Sequence, residues 1–428
     1  KILIMRWKSL LSCFMLFLTL PAASGFKILV YNPRFSHSHS SWIGHLADIL
    51  VRAGHDVTSL IPEIDRHAKD GTKLSKIIRV PADSVALEAH EENDGMDVDF
   101  WDDDLTYSAA LIIGEKLKAI FCSQCNSTIN HPGLLEQLRD EHFDLVINEN
   151  FDYCGMGISH AIGAKSTVVL STTTLFDHVA YDLGVPVVPS INPAFYTLHL
   201  DIHSLSSRFW NAFYTYTSFM RWNPTRDCCS SLFTDKFGVN FPQIKKLTAE
   251  ASFVFTNSDP FIDFARPLLR KVVDLGGIGI REPKPLGKEW DEILNQREHN
   301  VLVSFGSVAK SSVMKIHRKR AFLKAFSHFP AVTFIWKYES PEDEFATKEV
   351  VRVPNVVLRK WTPQNDLLND TRMTAFVSHG GAGSSQEAAA RGVPVLFIPL
   401  FGDQPRNAAM MENSGVAVAL SKFEAADE

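Results

Sequence analysis

The chain has 428 residues, of which 45% are hydrophobic and 21% are charged, a balance typical of ordinary globular proteins. This length predicts two domains of about 150–200 residues each. The net charge of −6 argues against a nucleic-acid partner, because such a partner would favour a basic face.

Residues 1–25 predict a secretory signal peptide rather than part of the fold. Arg6 and Lys8 precede an apolar run from Leu10 to Leu20, and small residues follow this run. The run is too short to span a bilayer, which needs about 20 apolar residues. The mature chain is therefore expected to begin near Phe26, inside the secretory pathway.

The sequons and cysteines are compatible with this compartment. Asn126 and Asn369 begin N-x-S/T sequons and are candidate glycosylation sites. Five cysteines lie outside the signal, an odd number: Cys122, Cys125, Cys154, Cys228 and Cys229. Cys122-x-x-Cys125 has no second pair or His-x-x-x-His partner, so zinc is not expected. Disulfides and buried thiols are the two alternatives.

The first domain is expected over residues 26–275 and begins as a βαβ unit. Its first elements are a strand at Lys27–Tyr31, a helix at Trp42–Ala53 and a strand at Asp56–Ile61. Further strands are predicted at Phe143–Asn148 and Ser166–Leu170, with a glycine-bearing helix at Gly155–Ala164 between them. Strands that alternate with helices predict a parallel sheet.

Residues 276–300 are expected to link the domains, because Gly and Pro are concentrated near their start. The second domain is expected over residues 301–428. Its strands are predicted at 301–305, 333–337, 356–360, 374–378, 395–399 and 416–420, and its first helix at 313–329. This alternation predicts an α/β fold of two Rossmann-like, doubly wound domains facing a cleft at the carboxyl ends of the strands.

The segment 361–407 predicts a nucleotide-sugar site. An apolar strand at 375–378 is followed by His379, by glycines and then by a helical run from Ser384 to Ala390. A strand that turns through glycines into a helix presents unpaired backbone N–H groups and a partial positive charge. A diphosphate requires this arrangement.

Side chains around this helix suit the rest of such a ligand. Gln386–Glu387 lie one turn into the helix, within reach of a ribose. Trp361 and Gln364 are suited to stacking on a base and hydrogen-bonding it. Asp403–Gln404 offer a carboxylate and an amide for sugar hydroxyls.

Three motifs in this segment carry a family resemblance. They are W-x-P-Q-x-D-L-L from Trp361, H-G-G-A-G-S-x-Q-E from His379 and G-V-P-x-L-x-x-P-L-F-x-D-Q from Gly392. Together they resemble the signature of the UDP-glycosyltransferases, in particular the animal UDP-glucuronosyltransferase branch. The resemblance covers nearly the whole chain and is strongest after Val301.

This resemblance implies the GT-B architecture and sugar transfer from a UDP-sugar to a small lipophilic acceptor, as in detoxification. It favours glucuronic acid over glucose. It also implies a location in the endoplasmic reticulum lumen and a membrane anchor through a C-terminal span absent from this chain, which is expected to be a fragment. The sequence does not decide whether the protein forms homo-oligomers. The aromatic-rich residues 195–253 are expected to form helices that mostly pack the core and help to shape an apolar acceptor pocket.

The resemblance also assigns donor-binding residues. It gives the uracil to Trp361 and Gln364, the diphosphate to His379 with Gly381 and Ser384, the ribose to Glu387, and the transferred sugar to Asp403 and Gln404. Gly306–Ser307 follow a strand and are a candidate for an additional phosphate contact. Gly383 stands where many relatives carry Asn, which removes one side-chain donor.

The loop after the first strand, residues 34–41, offers a general base for the acceptor hydroxyl. In the family the catalytic His lies at a fixed distance before the Gly-His that opens the second strand. Counting back from Gly54–His55 selects His39, with His37 as the alternative.

A carboxylate is needed to orient this His and to stabilise the imidazolium. The family commonly has Asp at the matching position, where this chain has Glu149. Glu149 is the first candidate, and Asp152 is the second.

Two patterns, Asp97-x-Asp99 and Asp102–Asp104, contain the D-x-D that binds Mn²⁺ or Mg²⁺ in metal-dependent transferases. They lie in an acidic run at 91–104 that we interpret as a solvated loop. The expected reaction therefore uses no metal or other cofactor, with the UDP-sugar as co-substrate. The leading hypothesis is an inverting transfer. A non-catalytic nucleotide-sugar-binding subunit is the alternative, because Glu149 departs from the family pattern.

Overall fold

The computed structural model describes residues 25–91, 99–103, 107–195, 197 and 200–426. The predicted signal before Gly25 lies outside these residues, as do Asp97 and Asp104 of the acidic run. Within the described residues the strands form two parallel sheets, one of seven strands and one of six. The prediction of two doubly wound α/β domains is confirmed.

The first sheet belongs to the N-terminal domain. Its strands are β1 Lys27–Tyr31, β2 Asp56–Pro62, β3 Lys76–Val80, β4 Leu145–Glu149, β5 Ser166–Ser171, β6 Phe253–Thr256 and β7 Val272–Asp274. Their spatial order is β3-β2-β1-β4-β5-β6-β7. Leu29 and Val30 of β1 are fully buried, because helices cover both faces of the sheet.

Eight helices described in this domain surround the sheet. They are α1 His37–Arg52, α2 Ser84–Glu91, α3 Tyr107–Ile129, α4 Leu134–Asp140, α5 Cys154–Ala161, α6 Asp177–Leu183, α7 Leu205–Phe237 and α8 Ile244–Ala249. The prediction of helices in the aromatic-rich stretch agrees with α7 and α8, although that stretch ends in strand β6.

Helix α1 begins five residues before the predicted start at Trp42. The expected loop at 34–41 was therefore wrong over its second half, which is helical from His37. Ser36 is extended, with φ −155° and ψ 154°, as is usual for the residue that precedes a helix. The first turn is polar, so hydrophobic periodicity could not reveal it. His37 and His39 consequently stand on a helix.

The second sheet belongs to the C-terminal domain. Its strands are β8 His299–Ser304, β9 Val332–Lys337, β10 Val356–Arg359, β11 Met373–Ser378, β12 Val395–Phe397 and β13 Ala417–Ala419. Their spatial order is β10-β9-β8-β11-β12-β13. Ser304 is in register with Ser378, and Lys337 with Arg359, so these strand ends share one edge of the sheet.

The helices of this domain include the segment that follows the donor glycines. They are α9 Lys288–Leu294, α10 Ile316–Ser327, α11 Glu344–Lys348, α12 Gln364–Leu368, α13 Ala382–Arg391 and α14 Gln404–Asn413. Short 3₁₀ turns occupy Ser311–Val313, Val350–Arg352 and Glu424–Ala426. Helix α9 lies inside the predicted linker and buries Ile293 and Leu294 in the core of the second domain.

Residues 99–103, which we name the strap, come from the first domain in sequence but pack on the second. Trp101 is only 2% exposed and lies in the same hydrophobic cluster as Val303 and Phe305. Its ring meets that of Phe305 edge to face at 4.8 Å. The strap therefore fastens the first domain to the core of the second.

The interpretation of the whole acidic run as a solvated loop was wrong for Asp102. Its Oδ2 lies 2.7 Å from the Lys315 ammonium, and its Oδ1 accepts a hydrogen bond from Arg318. Lys422 donates to the backbone carbonyl of Phe100, 2.9 Å away. Cations of the second domain thus hold the strap in place.

The cysteines form disulfides, one of the two alternatives that the sequence offers. Cys122 is bonded to Cys228 and Cys125 to Cys154, while Cys229 is a buried free thiol. In the described part of the chain, no three His, Cys, Asp or Glu side chains converge as metal ligands would. None of the helices searched there is both long and apolar enough to cross a membrane.

Candidate active site in the interdomain cleft

The first domain contributes a His–carboxylate pair to the cleft. His39, on the first turn of α1, places its Nδ1 2.5 Å from the Thr172 hydroxyl and 3.9 Å from Oε2 of Glu149. Glu149 ends β4 and is fully buried. Its Oε1 accepts from the Asn150 amide at 3.0 Å, whereas its Oε2 has no hydrogen-bond partner among the described residues. The structure thus leaves one buried carboxylate oxygen beside the imidazole.

Asp152, the second carboxylate candidate, is engaged elsewhere. Its Oδ2 accepts a hydrogen bond from the Tyr31 hydroxyl, and its Oδ1 accepts one from the Cys154 amide, each at 2.7 Å. Burial raises the pKa of Asp152 to about 7. The geometry therefore favours Glu149 over Asp152 as the partner of His39.

His37, the alternative base, faces the second domain. Its ring lies 6.4 Å from the ring of Trp361, edge to face. Burial, together with the Lys69 and Arg281 charges, lowers the pKa of His37. His37 therefore lies beside Trp361, the proposed uracil-binding residue, and not beside Glu149. Of the two histidines, His39 has the better position for the proposed base.

Aromatic rings enclose His39 on the side of the first domain. Phe35 and Phe151 lie 4.7 and 4.6 Å from its ring, measured between centroids. Behind them Phe151 packs against Phe176 and Trp222, each at 5.1 Å. This wall is apolar and suits a planar lipophilic molecule next to the base.

Sequence reasoning missed Phe35, Phe151 and Thr172 as members of the site. The predicted pocket stretch, 195–253, supplies Trp222 but neither of the rings nearest to His39. Two of these residues could have been found from their neighbours in the sequence. Phe35 precedes the two candidate histidines, and Phe151 lies between the two candidate carboxylates. Thr172 carries no such signal, since it is 133 residues from His39.

The second domain contributes the helix start that the donor motif predicts. Helix α13 begins at Ala382, and no side chain of the described residues caps its first turn. Gly380 has φ +88°, a conformation that favours glycine. A Cβ on Gly306 or Gly381 would lie 2.6 or 2.7 Å from Nε2 of His379, so both positions require glycine if His379 is to keep its place.

His379 is an uncharged group at this helix start. Removal from water, followed by the nearby Lys337 charge, lowers the pKa of His379 to about 4. Its imidazole is therefore neutral at physiological pH and can donate a hydrogen bond to a phosphate oxygen without supplying a positive charge.

The uracil and ribose candidates form one hydrogen-bonded group. Nε2 of Gln364 donates to the Ser384 hydroxyl at 3.0 Å and to Glu387 Oε2 at 2.7 Å. Trp361 is 62% exposed, so one face of its ring is open to a base. Gln386 differs from expectation: its amide points to the first domain and donates to the Asn257 carbonyl at 3.4 Å. It is an interdomain contact and not a ribose ligand.

Asp403 and Gln404 stand at the start of α14, at the edge of the cleft. Oδ2 of Asp403 accepts a hydrogen bond from Asn407 at 2.8 Å. Burial raises the pKa of Asp403, and this hydrogen bond opposes the shift. Oε1 of Gln404 accepts from the amides of Leu400 and Phe401, so its NH₂ is the group that can meet a sugar hydroxyl. Ser307 is exposed after β8.

The fold and this cleft define a class of protein, a two-domain glycosyltransferase of the GT-B type. Solved structures agree on the fold: the calicheamicin glycosyltransferase CalG4 superposes with a TM-score of 0.57 at 16% identity, covering 94% of this chain and 87% of that one. The glycosyltransferase SnogD from Streptomyces nogalater superposes with a TM-score of 0.57 at 17% identity, covering 93% of this chain and 87% of that one.

Sequence comparison gives the family. The family described as UDP-glucoronosyl and UDP-glucosyl transferase matches residues 26–427, and the chain belongs to it. Among its relatives, the putative UDP-glucuronosyltransferase ugt-56 of Caenorhabditis elegans is 32% identical, over 93% of this chain and 76% of the relative. UDP-glucuronosyltransferase 3A2 of Homo sapiens is 30% identical, over 91% of this chain and 73% of the relative. The prediction of a UDP-glycosyltransferase is confirmed.

Proposed function

We propose that this enzyme transfers glucuronic acid from UDP-glucuronate to a hydroxyl of a small lipophilic acceptor, with inversion and without a metal ion. One observation carries the proposal. His39 stands 3.9 Å from a buried Glu149 oxygen and 4.6 Å from the Phe151 ring of the aromatic wall, and it is near enough to Asp403 of the other domain for an electrostatic interaction. We assign these groups as the base, the apolar acceptor surface and the sugar-binding carboxylate of one site.

The chemistry follows from the two nitrogens of His39. Nδ1 lies 2.5 Å from the Thr172 hydroxyl and 3.9 Å from Glu149, so a proton on this nitrogen is donated to Thr172, and Nε2 is left to accept the acceptor's proton. The deprotonated oxygen attacks the anomeric carbon from the side opposite to UDP, and the configuration at that carbon inverts. Glu149 stabilises the imidazolium that results.

The leaving group departs toward the second domain. The N-terminus of α13 stabilises negative charge through its backbone N–H groups, and neutral His379 donates a further hydrogen bond. Support for a metal-independent route comes from Asp102, whose carboxylate is occupied by Lys315 and Arg318. A D-x-D metal site would need the Asp102 carboxylate as a ligand, and in the structure this carboxylate is bound by the two cations.

The choice of glucuronic acid rests on the names of the relatives, which are called UDP-glucuronosyltransferases in worm, cow and human. Glucose is the alternative sugar. We further propose that the protein works in the endoplasmic reticulum lumen, anchored by a C-terminal span. Asn126 and Asn369 are both exposed, as glycosylation there requires.

The test uses full-length protein in membranes, incubated with UDP-glucuronate or UDP-glucose and a panel of phenols, with products identified by mass spectrometry. A glucuronide product that disappears in His39→Ala but persists in His55→Ala supports the proposal. His55 is a matched control, because its Nδ1 accepts from the Phe26 amide at the opposite end of β1. Glucoside formation would correct the sugar. UDP binding without any glycoside would favour a non-catalytic binding subunit.

A further inference from the structure

Lys337 lies between Trp361, which is proposed to bind uracil, and the Gly306–Ser307 turn, which is proposed to bind phosphate. It is the last residue of β9, which pairs with β8 on one side and β10 on the other. Strand β10 leads directly to Trp361, and β8 leads to Gly306 and Ser307. Since ligands of parallel α/β sheets bind beyond the carboxyl ends of the strands, Lys337 stands where base and phosphates would meet.

The ammonium of Lys337 is held in place by its neighbours. Its side chain is only 8% exposed, and Nζ donates to the Gly306 carbonyl and to Oε1 of Glu339, each at 2.8 Å. Nζ also lies 5.7 Å from the centroid of the Trp361 ring. An ammonium has three N–H donors, and these two hydrogen bonds, the ones found in the described chain, leave one donor for a ligand.

The same contacts join Lys337 to the helix start. Gly306, which accepts from Nζ, packs so closely against His379 that a Cβ there would be 2.6 Å from Nε2. Gly381, at the beginning of α13, approaches the same nitrogen. His379 is neutral, so Lys337, which is ion-paired with Glu339 at 2.8 Å, is the cationic group beside this helix start. A diphosphate carries at least two negative charges and gains most from a charged donor.

We propose that Lys337 binds the diphosphate of the UDP-sugar, as a residue of the donor site that the motif does not include. This inference rests on the proposed function of the cleft, and it adds a cation to the uncharged donors already proposed for the phosphates, which are the backbone N–H groups of the helix start, the His379 imidazole and the hydroxyls of Ser307 and Ser384. Because the charge would also stabilise departing UDP, Lys337 is expected to affect turnover as well as binding.

The test is a titration of UDP and of uridine into the full-length protein, wild type and Lys337→Gln. A charged hydrogen bond to phosphate predicts a UDP affinity about 10- to 100-fold weaker in the variant. Uridine lacks phosphates, so its affinity should change less than about twofold. Lys337→Arg should recover much of the UDP affinity, because the charge is kept.

Lys319→Gln is the matched control. Lys319 is equally buried, with 8% of its side chain exposed, and belongs to the same domain, but its Nζ contacts Tyr338 and Ser312. It should leave UDP binding unchanged. Thermal melts of all variants check that the fold is kept.

Two results would overturn the proposal. Equal losses of UDP and uridine would mean that Lys337 only shapes the Gly306 turn. Unchanged UDP affinity with a lost preference for UDP-glucuronate would mean that the ammonium meets the sugar carboxylate instead. Glycoside formation is measured separately, so a protein that binds UDP through Lys337 but transfers no sugar would refute the proposed reaction alone. Wild-type protein that binds no UDP would refute both.

Discussion

Glu149 directs a fully buried carboxylate oxygen at the imidazole of His39, 3.9 Å away, and none of the described residues hydrogen-bonds that oxygen. A buried carboxylate oxygen without a hydrogen bond is stabilised by a positive charge placed nearby. The imidazolium that forms as the acceptor loses its proton would place such a charge beside Glu149.

Glu149→Gln is expected to reduce kcat by about 10²–10⁴-fold, since the amide keeps the shape but not the charge that stabilises the imidazolium. UDP affinity should not change, because Glu149 lies in the other domain. Steady-state kinetics and UDP titration check both. The control is Asp152→Asn, whose carboxylate faces Tyr31. A larger loss of turnover in Asp152→Asn would move the orienting role to Asp152.

Asp152 makes a separate prediction about stability and pH. Its pKa is about 7 in the folded protein because of burial, whereas the unfolded chain ionises near 3.8. Between these values the folded state holds a proton that the unfolded state has lost, so stability falls as pH rises from about 4 to about 7. At about 1.4 kcal/mol per pKa unit, the loss is at most about 4 kcal/mol.

Denaturant unfolding at pH 5 and at pH 7.5 measures this loss. Asp152→Asn removes the titrating group, so the variant should lose less stability than the wild type over the same interval. The variant will be less stable at pH 5, because its amide cannot accept both existing hydrogen bonds. An equal fall in both proteins would show that other groups cause the pH dependence.

Most of the fold was predictable from the sequence because alternating apolar strands and glycine-bearing turns are local signals. The predicted strand at 333–337 differs from β9 by one residue, and the predicted strand at 374–378 differs from β11 by one. The motif residues 361–404 were also predictable, because they follow β10, β11 and β12, which are consecutive in the chain and are parallel strands of one sheet.

The first half of the cleft was harder to predict, because it is made of contacts between distant segments. His39 meets Thr172 across 133 residues, and Trp101 leaves its own domain to pack in another. Neither contact has a periodicity or spacing that sequence reasoning can use. The roles assigned to His39, Glu149 and the donor residues therefore stay predictions, although the structure brings the groups together.

Trp101→Ala is expected to destabilise the protein by about 3–5 kcal/mol, the usual cost of removing a fully buried large aromatic side chain. The loss should loosen the attachment of the strap, so hydrogen exchange should increase around Phe305 and Phe401, whose rings contact Trp101 and Phe100. The control is Trp210→Ala, since that side chain is 52% exposed and should change stability by less than about 0.5 kcal/mol. Equal effects in both variants would contradict the buried role of the strap.

Gly381→Ala tests the close packing at the helix start without the complication of a positive φ. Its Cβ would lie 2.7 Å from Nε2 of His379 and would displace the imidazole from the proposed phosphate position. We expect UDP affinity to fall by about 10-fold or more, as for a lost hydrogen bond to a charged group. Gly383→Ala is the matched control, because nothing lies within 4 Å of its Cβ. Similar affinities in both variants would place UDP elsewhere.

Phe151→Ala tests whether the aromatic wall beside His39 binds the acceptor. Removing a ring that touches a planar substrate should lower kcat/KM for phenolic acceptors by about 10- to 200-fold. The KM for the UDP-sugar should stay within about twofold, because Phe151 lies in the first domain. Phe209→Ala, which removes a largely exposed ring on α7, is the control and should have no effect. A fall in kcat with an unchanged acceptor KM would instead mean that Phe151 holds the His39 ring, 4.6 Å away, and does not contact the acceptor.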